Sequence, residues 1–101
     1  MNALKMRADA SEFQFARERE LQFRIDARSK MALALWAAEK LGHVDPAAYA
    51  NELLTEDIIK RGGAVERLVN DFAEAGIPVA TQEIQSRLAA TLRQVAADMA
   101  A

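Results

Sequence analysis

The stretch Met31-Ala-Leu-Ala-Leu-Trp-Ala-Ala38 decides the fold. Eight apolar residues in succession leave a helix no polar face, so other elements must cover it on several sides. The run is far shorter than the roughly 20 apolar residues that a bilayer span requires, and Arg28, Lys30, Glu39 and Lys40 flank it with charge. It reads as the centre of a small helical bundle, with Trp36 in the core and its indole N–H seeking one acceptor. Working back from this run, no Gly or Pro interrupts good helix formers until Ser11 or Glu12, and Leu41-Gly42 closes the segment. A helix from Glu12 to Leu41 would be about 45 Å long. Residues 1–10 show no sustained period and read as a flexible or partly helical tail.

Working forward, three shorter helices follow. Asp45-Pro46 is a start signal, the carboxylate placed to accept an orphan backbone N–H and Pro pre-set for the first helical position. Ala50, Leu53, Leu54 and Ile58 mark one face of this second helix to about Lys60, and Gly62-Gly63 stops it. A third, from about Ala64 to Ala75, carries Val65, Leu68, Val69 and Phe72 on one face. Gly76 supplies its left-handed C-terminal position, Ile77 folds back as apolar partner and Pro78 prevents continuation. The fourth begins near Thr81, and Ile84, Leu88, Leu92, Val95 and Met99 give the strongest periodic signal in the chain. The expected class is therefore all-α, a four-helix bundle.

The lengths carry a further consequence. A bundle of helices of about 12 to 19 residues is at most roughly 28 Å long, so the first helix exceeds it. Its N-terminal part must project as a mobile arm, marginal in water because no tertiary face supports it. The organisation expected is an arm over residues 1–19 and a bundle over residues 20–101. The arm carries Phe13 and Phe15 among its charges, with Leu21 and Phe23 just beyond. Either these apolar residues fold back or stand singly exposed, as is common, or a partner buries them when the arm orders in a cleft.

Composition narrows the function. In 101 residues with 51% apolar content there is no cysteine, which excludes a disulfide frame and a thiolate metal site. No apolar signal-type segment or membrane span is evident, so a cytoplasmic protein without direct membrane insertion is expected. The net charge of −2 divides into +2 over residues 1–30 and −4 over the rest, but signs alternate along Arg17-Glu-Arg-Glu20. A nucleic-acid stripe needs clustered positive charge, so no nucleic acid is expected as partner. His43, the single histidine, follows a helix end with no second ligand at metal spacing. Neither Glu56-Asp57 nor Glu18 with Glu20 comes with a nucleophile, and Gly62-Gly63 lacks the strand and the Lys-Ser/Thr ending of a phosphate loop. No enzyme, no cofactor and no metal are expected.

Glu20-Leu-Gln-Phe23, Ala27-Arg28 and Leu35-Trp-Ala-Ala-Glu-Lys-Leu-Gly42 are followed in order by Ala48-Tyr-Ala50, Asp71-Phe72, Gly76-Ile77 with Val79, and Glu83-Ile84. This ordered set resembles the zeta subunit, the small inhibitor protein of alpha-proteobacterial F-type ATP synthases, from about Glu12 to the C-terminus. The resemblance implies a four-helix bundle whose N-terminal segment becomes helical in the catalytic head of the synthase. There it would wedge between a catalytic and a non-catalytic subunit and against the central shaft, so the implied partners are the alpha, beta and gamma subunits. Such a pawl blocks ATP hydrolysis while permitting synthesis, on the cytoplasmic side of the inner membrane.

Carried over by position, the resemblance implies that Arg7, Glu12, Phe15, Ala16, Glu20, Leu21 and Phe23 belong to the inhibitory arm; Leu4 and Phe13 are counted with them as further apolar residues of the arm. The apolar ones would supply burial, and Arg7, Glu12 and Glu20 would fix register by ion pairing. The chain departs from the family where the arm usually opens with Phe-Asp-Asp-Arg-Glu, for it has Leu4-Lys-Met-Arg-Ala8. Local charge changes by about four units, enough to alter docking on a basic site. Ala80 stands where the family has a Ser helix cap, and Thr81 is expected to cap one residue later. The competing expectation is a helical adaptor or assembly module that kept the fold and lost the brake. In either case the free protein is expected to be a monomer.

Overall fold

The computed structural model describes residues 3–100, with side chains from residue 11 onward. Four helices follow one another: α1 (Ala3–Leu41), α2 (Pro46–Ile59), α3 (Gly63–Glu74) and α4 (Thr81–Ala100). Helix α1 starts at Ala3, ahead of the expected Ser11 or Glu12, so residues 3–10 of the segment read as a flexible or partly helical tail belong to one uninterrupted helix of 39 residues. Helix α1 touches each of the other three, α3 touches both α2 and α4, and α2 does not meet α4. The α1–α3 pair is thus the short diagonal of the bundle, flanked by α2 and α4.

The core sets buried alanines, most of them on the long helix, among larger apolar side chains. Ala34, Ala37 and Ala38 of α1, with Ala50 of α2 and Ala64 of α3, are buried and let backbones approach closely. Leu53, Leu68, Phe72 and Ile84 fill the space between. The apolar run is not wrapped all round, however. Leu33, Ala34, Ala37 and Ala38 face the core, whereas Ala32 and Leu35 are exposed. Three short partners cannot encircle a helix, and one side stays open. Trp36, expected in the core, lies half-buried at its edge, tilted against Phe72 at 5.7 Å between ring centroids and covered by the Arg87 guanidinium at 4.1 Å. An indole face can be closed by a cation as well as by an apolar side chain.

The end signals are realised in detail. The Asp45 side chain accepts from the Ala48 N–H at 3.1 Å, with Pro46 opening α2. At the end of α1, the Gly42 N–H donates to the Glu39 carbonyl and the His43 N–H to the Ala38 carbonyl, at 3.2 and 3.0 Å. The same pair of bonds closes α3 through Gly76 and Ile77, and Ile77 packs on the core as expected. At α4 the expectation fails. Ala80 occupies the cap position, its carbonyl accepting from Glu83 and Ile84, and Thr81 is the first helical residue, so no side-chain cap is formed.

Ile58 is also placed differently from the expected inner face of α2, being exposed. The inward positions run through Tyr49, Ala50 and Leu53, and one turn on from Leu53 stands Asp57, a carboxylate with 9% of its side chain exposed. Gly63 has a role beyond stopping a helix. A Cβ there would lie 2.7 Å from the Glu56 carbonyl oxygen, so α3 starts against the backbone of α2 only because the residue has no side chain. Gly62 needs glycine for another reason, its φ of +86° with open space around it.

Three substitutions test these end signals. Gly63→Ala should destabilise by about 2 to 3 kcal/mol through steric overlap, and Gly62→Ala by about 1 kcal/mol through backbone strain. Ala80→Ser should stabilise by about 1 kcal/mol by supplying the missing cap. Urea denaturation midpoints measure all three, and equal losses at Gly62 and Gly63 would contradict the close-approach account.

Candidate inhibitory arm

Helix α1 is about 58 Å long at 1.5 Å per residue, whereas α2, α3 and α4 have 14, 12 and 20 residues. The structure extends 65 Å along its longest axis and 28 Å along the next. The surplus is the N-terminal part of α1. Every residue from 11 to 24 is exposed, and Ile25 is the first buried residue among the described side chains.

Of the residues assigned to the arm from sequence, Glu12, Phe13, Phe15, Ala16, Glu20, Leu21 and Phe23 all lie on this exposed segment. Leu4 and Arg7 fall within α1, but their side chains lie outside the described residues. Phe13, Phe15, Leu21 and Phe23 have relative exposures of 65, 60, 45 and 69%. They do not form one stripe. At about 100° per residue, Phe15, Leu21 and Phe23 stand roughly 200°, 80° and 280° around the axis from Phe13. Apolar bulk therefore points in every direction.

Without a tertiary face, the described arm is supported by contacts between successive turns. Arg17 lies over the Phe13 ring at 5.8 Å and Arg19 over the Phe15 ring at 5.7 Å, each four residues on. The Glu20 carboxylate accepts from Arg24 at 2.8 Å, again at a spacing of four. Such exposed pairs contribute a few tenths of a kcal/mol each, too little to hold a helix rigid. The cations also shield the aromatic faces that a partner would cover.

The root of the arm is fastened by a different chemistry. Ser29, fully buried, donates its hydroxyl to the Ile25 carbonyl at 2.7 Å. Lys30 binds the Asp26 carboxylate at 2.7 Å on its own helix and Asp57 of α2 across the interface. The other Asp57 oxygen accepts from the Ala64 N–H at 3.3 Å, so one carboxylate ties α1, α2 and the first turn of α3 together. Burial opposes the charge on both partners. For Lys30 the two carboxylates outweigh that penalty and its pKa is raised; for Asp57 the ammonium and the backbone donors outweigh it and its pKa is lowered. A second network joins α2 to α3. Arg67 donates to Glu52, Glu56 and Asp71 at 3.2, 2.9 and 2.8 Å, and the Tyr49 hydroxyl donates to Asp71 at 2.6 Å. Burial, then the Asp71 carboxylate, pushes the Tyr49 hydroxyl well above the usual tyrosine range.

These groups are structural. Sequence reading set Glu56-Asp57 aside for want of a nucleophile, and the pair serves as two separate ion-pair acceptors, for Arg67 and Lys30. Their roles could not be found from spacing, because Lys30 and Asp57 are 27 residues apart. Among the described residues, no group of three or more His, Cys, Asp or Glu side chains could hold a metal ion, and no helix is long and apolar enough to cross a membrane.

Asp57→Asn should destabilise the bundle by about 2 kcal/mol, less than a fully buried pair would lose because Asp26 still holds Lys30. The lowered Asp57 pKa contributes stability that is present above the unfolded value of 3.8 and lost as pH falls through the folded one. The raised Lys30 pKa contributes below 10.5, and that contribution is lost as pH rises through the folded value. The difference between wild type and variant should therefore be level near neutrality and shrink below about pH 4 and above about pH 10.5. Denaturation at a series of pH values checks it.

No curated protein matches the chain at a significant level. A family model does, described as ATPase inhibitor subunit zeta and matching residues 1–98. The match spans the arm, its fastened root, α2, α3 and α4 as far as Asp98, and on it the chain belongs to the family of ATPase inhibitor subunit zeta.

Proposed function

We propose that this inhibitor-family protein acts through the projecting part of α1, which enters the catalytic head of the F-type ATP synthase and blocks ATP hydrolysis. The observation that carries the reading is the placement of Phe13, Phe15, Leu21 and Phe23 around the whole circumference of an unsupported helix. A flat groove would bury one of these faces and leave the others in water. A cleft that closes round the helix buries all four, and an interface between a catalytic and a non-catalytic subunit beside the central shaft is such a cleft.

The energetics suit a removable pawl. Each Phe contributes up to roughly 150 Å² or more of apolar burial at about 25 cal/mol per Å². That gain is opposed by the entropy of ordering an arm that is marginal when free. Glu12 and Glu20 set register, Glu20 by exchanging its exposed Arg24 partner for one in the cleft. The bundle keeps the arm attached to a folded body, and Lys30, Asp26 and Asp57 fix where it emerges. The site of action is the cytoplasmic side of the synthase, with the alpha, beta and gamma subunits as partners.

Removing residues 1–19 should abolish inhibition of ATP hydrolysis by the cognate synthase head. The melting temperature should stay within about 3 °C of the parent, since none of the deleted residues described contributes to the core. Phe13→Ala with Phe15→Ala should weaken inhibition by about 100-fold or more at unchanged fold. Undiminished inhibition by the truncated chain contradicts the reading. Loss of inhibition with binding intact in the full chain would mark an adaptor that has lost its brake.

A further inference from the structure

On the reading that the arm enters the synthase head, we infer that the docking surface does not end with the arm but continues onto an open apolar face of the bundle, formed by Ala27, Met31 and Leu35 of α1 with Leu54 and Ile58 of α2. The part of the head at the mouth of the cleft would seat there, presenting an apolar ridge and a carboxylate opposite Arg28.

The first support is continuity along one helix. Phe13, Arg17, Glu20, Arg24, Ala27 and Met31 are separated by four, three, four, three and four residues, the spacing that keeps side chains on one side of a helix. Because α1 runs without a break from Ala3 to Leu41, this side of the arm passes directly into a side of the bundle that is only partly covered, with Ala27 and Met31 half-buried and Leu35 exposed. Phe13 to Arg24 form the arm part of this side, and a shallow groove between Ala27 and Leu35, with Leu54 as its far wall, forms the bundle part. A cleft that grips the first cannot end at residue 24 without its rim meeting the second.

The second support is what the face is made of. Ile58 is 80% exposed, one turn from Leu54 on the same side of α2, and stands next to Asp57, which is bonded to Lys30. Leu54 lines a groove with Met31 and Leu35, and the Lys30–Asp57 pair brings Ile58, the next residue of α2, toward the root of the arm. Arg28 is exposed on this face and has no ion pair among the described residues, while Arg24 and Lys30 on either side are both paired. An unpaired guanidinium at the edge of an apolar strip is suited to a partner that brings its own carboxylate.

The test uses the full-length chain with Ile58→Glu, Leu35→Glu and Arg28→Glu made singly, and Ile59→Glu as control. Ile59 is equally exposed but about 100° round α2 from Ile58. Circular dichroism confirms the fold, and binding kinetics and ATP hydrolysis are measured with the cognate head. The first three variants should bind 10- to 100-fold more weakly, chiefly through faster dissociation, yet still inhibit fully at saturation, while Ile59→Glu should match the parent. Unchanged binding by folded Ile58→Glu and Arg28→Glu, with Phe13→Ala still weakening inhibition, overturns this inference and leaves the arm reading standing. Loss of a dimer on Ile58→Glu, with unchanged affinity for the head, also overturns it and assigns the face to a second copy of the chain. Inhibition insensitive to Phe13→Ala and Phe15→Ala removes the arm reading itself.

Discussion

A 39-residue helix is packed against partners of 14, 12 and 20 residues, and the rest of the structure follows from that mismatch. A helix can be buried only for the length of what lies against it, so the C-terminal part of α1 becomes the diagonal of the bundle and residues 11–24 become surface on all sides. One covalently continuous helix is thus stabilised in two regimes. From Ile25 onward tertiary packing supplies the stability. Before it, support comes from turn-to-turn pairs such as Phe13 with Arg17, each contributing only tenths of a kcal/mol.

The boundary between the regimes is where polar groups concentrate. Ser29 turns its hydroxyl back to its own helix, and Lys30 is held by Asp26 and Asp57. An apolar root would hold α1 to α2 as well but would allow it to slide or rotate. A charge pair that also accepts from Ala64 at the start of α3 has one geometry, and so fixes the direction in which the arm leaves the bundle. Gly63 makes this possible, because only a residue without Cβ lets α3 begin so close to the α2 backbone. Direction matters for a segment that, on the proposed reading, enters a cleft.

Much of the fold was legible. Asp45-Pro46, Gly42, and Gly76 with Ile77 are local signals whose chemistry is complete within six residues, and the structure realises each. The length argument that predicted a projecting segment needed only the absence of Gly and Pro before Gly42. What stayed hidden was long-range. Periodicity alone placed Ile58 inward, because the carboxylate that takes the inner position, Asp57, looks polar until Lys30 is brought to it from 27 residues away. Trp36 looked like core because it lies in the apolar run, and nothing local shows that Arg87 from another helix closes one of its faces. Whether residues 3–10 are helical was not legible because they lack an apolar period, a signal that reports packing and not helicity. Several words that carried the family resemblance turn out to describe the bundle: Tyr49 and Asp71 meet in a hydrogen bond, and Ala38 to Gly42 form a helix end.

The central claim, that one helix is stable in the bundle and only marginal in the arm, is tested most directly by amide hydrogen exchange on the free full-length protein. Amides of residues 13–23 should exchange within about tenfold of the unstructured rate, and those of Leu33, Ala34, Ala37 and Ala38 should be protected by several orders of magnitude, approaching the global stability. Uniform strong protection from residue 13 to residue 38 would contradict the account, since it would mean that the arm is held by something other than its own turns.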